Sequence, residues 1–75
     1  MSPTLVTNSI RRLRFDHNEM TQQELADRIG VTRQTVNAIE AGKYSPSLEV
    51  AFQIAAVFNV RVDEAFHFAR PARGR

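Results

Sequence analysis

One stretch of this 75-residue chain leaves its backbone little choice. Thr21 is followed three residues later by Glu24, a spacing in which hydroxyl and carboxylate each take an amide left unbonded at a helix start. Leu25 and Ile29 then fall one turn apart, with Ala26 beside them, so one face is apolar and a second helix can come close at the alanine. Gly30 fits the left-handed residue that ends a helix cheaply. Val31 plugs the turn, and Thr32 caps a second helix over 33–41. That helix turns Val36 and Ile39 inward and Arg33, Gln34 and Asn37 outward. The spacing predicts two short helices joined at a glycine turn, with polar groups gathered at the start of the second.

The rest of the chain has little material to pack around this unit. Seventy-five residues support one domain with a small core. With no cysteine, neither a disulfide nor a thiolate metal site can staple it, so stability rests on helix packing, with a partner subunit as a further source. No apolar run approaches the ~20 residues of a membrane span. Met1-Ser2-Pro3-Thr4 lacks the basic and apolar regions of a signal peptide, so a cytoplasmic protein is expected. Acid–base chemistry finds no footing. His17 beside Asp16 and His67 near Glu64 lie at opposite ends of the chain, without a nucleophile or a ligand spacing such as H-E-x-x-H. No enzyme, metal or cofactor is expected, and so small a core leaves no room for a small-molecule ligand.

The net charge of +2 conceals its distribution. Up to Ala69, seven Lys or Arg stand against eight Asp or Glu, and Arg70, Arg73 and Arg75 supply all of the excess. If the folded part binds a polyanion, it does so through where its cations sit and not through bulk charge. Residues 69–75 read as a short basic tail, a frayed end or a nonspecific phosphate contact.

Elsewhere the periodicity is helical, and no segment alternates convincingly enough for a strand. A first helix carries Ile10 and Leu13 and starts near Thr7 or Asn8, either a competent cap. It breaks at Asn18-Glu19-Met20 without a glycine. Gly42 ends the helix over 33–41. Ser45 or Ser47 caps a fourth, running to about Asn59, with Pro46 tolerated at its first position. A fifth spans Val62 to Phe66 or Phe68. The fold class expected is all-α, with a domain over 7–68.

These residues resemble the lambda-repressor and Cro-like helix-turn-helix family, in its compact single-domain members. The likeness runs from about Ile10 to Phe66. Its specific parts are Met20-Thr21-Gln22-Gln23-Glu24-Leu25-Ala26, the Gly30-Val31-Thr32 turn, Ile39-Glu40-Ala41-Gly42-Lys43, Pro46-Ser47-Leu48-Glu49 and Val60-Arg61-Val62-Asp63-Glu64. The resemblance implies a five-helix DNA-binding domain whose third helix enters the major groove of double-stranded DNA. Arg33, Gln34, Thr35 and Asn37 match the family's base readers. The chemistry agrees, since Arg can bond guanine and Gln adenine with two hydrogen bonds, and a threonine methyl can meet that of thymine. Gln22, Thr32, Lys43, Tyr44 and Ser45 match phosphate-contacting positions, where a helix start suits an anion. Arg14 and Glu40 match a structural ion pair. Two departures stand out: Arg61 replaces the usual serine cap of the last helix, and Asn59 replaces a glycine but tolerates the left-handed conformation.

One recognition helix covers about half of a useful operator, so a homodimer is expected. On a helical wheel of the fourth helix, Leu48, Ala51, Phe52, Ala55 and Phe58 share one side. Val50 and Val57 point away, with Ile54 at the edge. Val50, Ile54, Val57, Val60, Phe66 and Phe68 are thus the expected dimer surface. The function expected is a sequence-specific repressor. An antitoxin-type regulator or a protein-interaction module on the same fold are the alternatives.

Overall fold

The computed structural model describes residues 5–43 and 45–68. Its elements, in order, are β1 (Val6–Asn8), α1 (Ile10–Asp16), α2 (Gln22–Ile29), α3 (Arg33–Glu40), α4 (Leu48–Val57), α5 (Val62–Ala65) and β2 (Phe66–Phe68). The expectations for Tyr44 and for the basic tail 69–75 lie outside the described residues.

The α2–α3 unit forms as its spacing dictates. The Thr21 hydroxyl accepts from the Glu24 amide at 3.0 Å, and the Glu24 carboxylate accepts from the Thr21 amide at 2.8 Å. Gly30 has φ +75°, and a methyl group built there would meet no atom, so its requirement is for the conformation alone. Thr32 caps α3 by accepting from the Thr35 amide at 3.1 Å. Leu25, Ala26, Ile29, Val36 and Ile39 are all buried, closing the two helices on a common core with Ile10, Met20, Ile54 and Phe58.

The break after α1 is made without glycine by two successive left-handed residues, Asn18 at φ 59° and Glu19 at φ 53°. Asparagine accepts that conformation more readily than glutamate, which costs about 1–2 kcal/mol there. The turn delivers Met20, whose side chain is buried and whose carbonyl accepts from Arg14 Nη1 at 2.8 Å. Asn59 is also left-handed, at φ 56°, in the glycine-like role expected of it after α4.

Several local expectations are corrected. The chain is mostly helical, but it closes with a two-stranded antiparallel sheet pairing Val6 with Phe68, Thr7 with His67 and Asn8 with Phe66. Three-residue strands are too short to show alternation, and Phe66 sits four residues after Val62 in a helical rhythm, so β2 read as the end of α5. Thr7 and Asn8 therefore lie in a strand, and α1 starts after Ser9. Asn8 still serves α1, since its Oδ1 accepts from the Ile10 amide at 3.1 Å, while its Nδ2 donates to the Ile39 carbonyl at 2.9 Å. Ser47, not Ser45, caps α4, so Pro46 precedes the cap instead of following it. At α5 the Arg61 side chain makes no cap, but the Arg61 amide donates to Glu64 Oε1 at 2.7 Å.

The orientation of α4 is the largest correction. Its buried arc comprises Ala51, Ile54 and Ala55, continued by Phe58, because it packs against both α2 and α5. Leu48 and Phe52, which the wheel set on one side with Ala51, Ala55 and Phe58, are 72% and 54% exposed. Ile54, assigned to the dimer surface, is wholly buried, and Val50, Val57, Val60 and Phe66 are half-buried against the core. Of that expected surface only Phe68 is well exposed. No helix among the described residues is long and apolar enough to cross a membrane.

Candidate nucleic-acid interface

The two-face pattern of α3 carries through to the structure. Val36 and Ile39 are buried, while Arg33, Gln34 and Asn37 stand exposed on the opposite side. Thr35 is half-buried, and its hydroxyl lies 3.0 Å from that of Thr32, so the cap and the first turn share a hydrogen bond. The helix therefore presents two long hydrogen-bonding side chains and one short amide on a single rigid surface. Such groups can meet base edges in a groove.

Its flanks hold the residues expected to meet phosphates. Thr32 is exposed at the helix start, and Lys43 and Ser45 are exposed beyond its end. Gly42, at φ +72°, turns the chain after α3, and the Lys43 amide donates to the Ala38 carbonyl at 3.0 Å, so the lysine is carried on an ordered turn. Gln22 is half-buried at the first turn of α2 and donates to Glu40 Oε1 at 3.2 Å. That bond, which the spacing did not reveal, locks the start of α2 to the end of α3.

Arg14 and Glu40 complete the junction. Arg14 Nε donates to Glu40 Oε2 at 2.6 Å and Nη2 to Oε1 at 3.0 Å, with the side chains only 15% and 9% exposed. The hydrogen bond to Glu40 raises the Arg14 pKa against the opposing effect of burial. Of the other cations, Arg12 pairs with Asp16 at 3.5 Å and Arg61 with Asp63 at 3.0 Å, both on the surface. Among the described residues, Arg11, Arg28, Arg33 and Lys43 enter no ion pair. The positive charge left uncancelled thus includes Arg33, on the exposed face of α3, and Lys43, just past its end. It is this placement, rather than net charge, that suits a polyanion.

The histidines have structural surroundings. His17 Nδ1 lies 3.0 Å from the Leu13 carbonyl and its ring meets Phe58 edge-on at 5.0 Å, while His67 Nε2 lies 3.0 Å from the Ser9 hydroxyl. Among the described residues no group of three or more acidic, histidine or cysteine side chains could hold a metal.

A capped helix, a left-handed glycine and a second capped helix with an outward polar face define a helix-turn-helix protein. The profile of the helix-turn-helix family matches residues 10–64, and the chain belongs to that family, in its XRE type, a DNA-binding class and not an enzyme family. An uncharacterized HTH-type transcriptional regulator of Methanocaldococcus jannaschii is 49% identical over 59 residues, spanning 79% of this chain and 88% of its own length. Another, from Bacillus subtilis, is 44% identical over 55 residues, spanning 73% of this chain and 79% of its own. A solved chain from Bacteroides fragilis shares the fold, with a TM-score of 0.72 over 83% of this chain and 98% of that one at 22% identity.

Proposed function

We propose that this chain is a sequence-specific transcriptional regulator of the cytoplasm, a repressor that binds an inverted-repeat operator as a homodimer. The exposed row Arg33, Gln34 and Asn37 on a helix anchored by Val36 and Ile39 carries the reading. In it, Arg33, Gln34, Thr35 and Asn37 read bases from the major groove. Gln22, Thr32, Lys43, Tyr44 and Ser45 hold the flanking phosphates, which fix register without reading sequence. Family membership and the regulators it resembles support the DNA-binding part of this reading.

The homodimer follows from the two-fold symmetry of an inverted repeat. Its surface is set on α4 and α5, where the exposed Phe52 lines a groove with Ala56, Val60 and Val62, and Leu48 is exposed one turn earlier on α4. Arg61 and Asp63 rim that groove with both signs of charge, which suits a contact of one patch with its own copy.

Selection from a random duplex pool at ~150 mM salt, where nonspecific binding is suppressed, tests the whole reading. The expected result is an enriched palindrome with half-sites about one helical turn apart. An enriched sequence without symmetry would remove the homodimer. No enrichment by folded protein would replace the regulator with an interaction module, and binding only alongside a second protein would favour the antitoxin variant.

A further inference from the structure

Arg11 has no role in the interface as so far described. It is exposed on the first turn of α1, enters no ion pair among the described residues, and lines a cleft with Arg14, Gln22, Asn37 and Glu40. Two walls of that cleft belong to the surface assigned to DNA: Gln22 at the start of α2 and Asn37 on the outward face of α3. A third wall is electrically spent, because Arg14 and Glu40 neutralise each other at 2.6 Å. The uncancelled charge of the cleft is therefore that of Arg11 alone. Arg12, its neighbour in sequence, lies outside this cleft and is paired with Asp16.

We infer that Arg11 is a DNA-backbone contact, a phosphate clamp supplied by α1 to the strand that passes the Gln22–Asn37 edge of the reading surface. This rests on the DNA-binding reading above and deepens it, extending the footprint from the α2–α3 unit and its following loop to a third element. A guanidinium facing a phosphate bonds its oxygens through two nitrogens and displaces a condensed counterion. The same clamp acts on any sequence, because phosphates are alike at every base pair.

The test measures full-length protein binding to a mixed-sequence duplex of ~20 base pairs from ~50 to ~200 mM salt, with the fold of each variant checked by circular dichroism. Losing one phosphate contact flattens the slope of log affinity against log salt by about 0.9, so affinity falls about 3.5-fold less over that range. Arg11→Gln is expected to show that flattening, Arg11→Lys to keep the wild-type slope, and Arg12→Gln to keep it too. A wild-type slope in Arg11→Gln, or equal flattening in Arg11→Gln and Arg12→Gln, would overturn the clamp while leaving DNA binding intact. Wild-type protein that binds no duplex at low salt would overturn the DNA-binding reading, and the clamp with it.

Discussion

Arg14 and Glu40 stand 26 positions apart in sequence and meet through two hydrogen bonds, one of 2.6 Å and one of 3.0 Å. Glu40 is the last residue of α3, where the helix dipole disfavours a carboxylate. The guanidinium offsets that field, and Gln22 adds a third hydrogen bond to the same carboxylate. Three helices thus converge on one acidic side chain that is itself kept away from water.

Removing either member of this pair should cost more than removing both. Arg14→Met and Glu40→Leu are each expected to lower stability by about 3 kcal/mol, since each strands a poorly solvated partner, and the double variant by less than either. Urea unfolding of the four-member cycle checks this. Strictly additive losses would mean that the pair is not coupled.

The same pair should be indifferent to alkaline pH. A raised pKa stabilises below the unfolded value and fades only as pH climbs through the folded value. The coupling energy is therefore expected to be equal at neutral and mildly alkaline pH. A decline between those two conditions would contradict the raised pKa.

Asn8 should be irreplaceable by its closest relative. Asn8→Ala loses the hydrogen bond to the Ile39 carbonyl and the acceptor for the Ile10 amide, at a cost of about 1–2 kcal/mol. Asn8→Asp keeps the acceptor but sets a carboxylate against that carbonyl, and is expected to be the worse of the two. Thermal unfolding ranks them, and an aspartate variant as stable as wild type would show that the Ile39 contact contributes nothing.

Exposed and buried apolar residues of α4 should part company. Ile54→Glu buries a charge where no water reaches and is expected to prevent folding. Phe52→Glu is expected to leave a folded domain that sediments as a monomer at concentrations where wild type pairs. If Phe52→Glu stays dimeric, the surface on α4 and α5 is wrong.

Readers and clamps should separate in binding. Arg33→Ala or Gln34→Ala is expected to relax preference at one base position, by about 1–3 kcal/mol, whereas Lys43→Ala weakens binding to every duplex and flattens the salt slope by about one. Competition against single-base operator variants distinguishes them. Identical profiles for all three would erase the division of labour.

How much of this was legible from residues alone depended on the range of the forces involved. Thr21, Glu24, Gly30 and Thr32 act on backbone within three or four positions, so their spacing reports the turn directly. The sheet could not be read this way. Val6 and Phe68 pair only because the helices between them bring the chain ends together, and neither strand is long enough to carry a pattern. The facing of α4 failed for a related reason. A helix rich in apolar residues has no sharp polar edge, so α2 and α5, not its own wheel, decide that Ile54 turns inward and Phe52 outward. At the interface, the outward side chains of α3 followed from periodicity, but the Gln22–Glu40 bond depends on how α2 packs on α3, and the place of Arg11 on where α1 lies beside them.

The terminal sheet bears on the order in which this chain assembles. Its helices are built from neighbours in sequence and can form early, but β1 and β2 must close a ring that spans almost the whole described chain. Six strand residues, several exposed, hold that ring shut together with the Ser9 amide on the Ala65 carbonyl. Elements of that kind form late and open often, well before the domain unfolds globally. Opening of the sheet is expected to draw Asn8 away from the Ile39 carbonyl and so relieve the last turn of α3 of one tether. Hydrogen exchange at the end of α3 is therefore expected to follow the opening of this sheet.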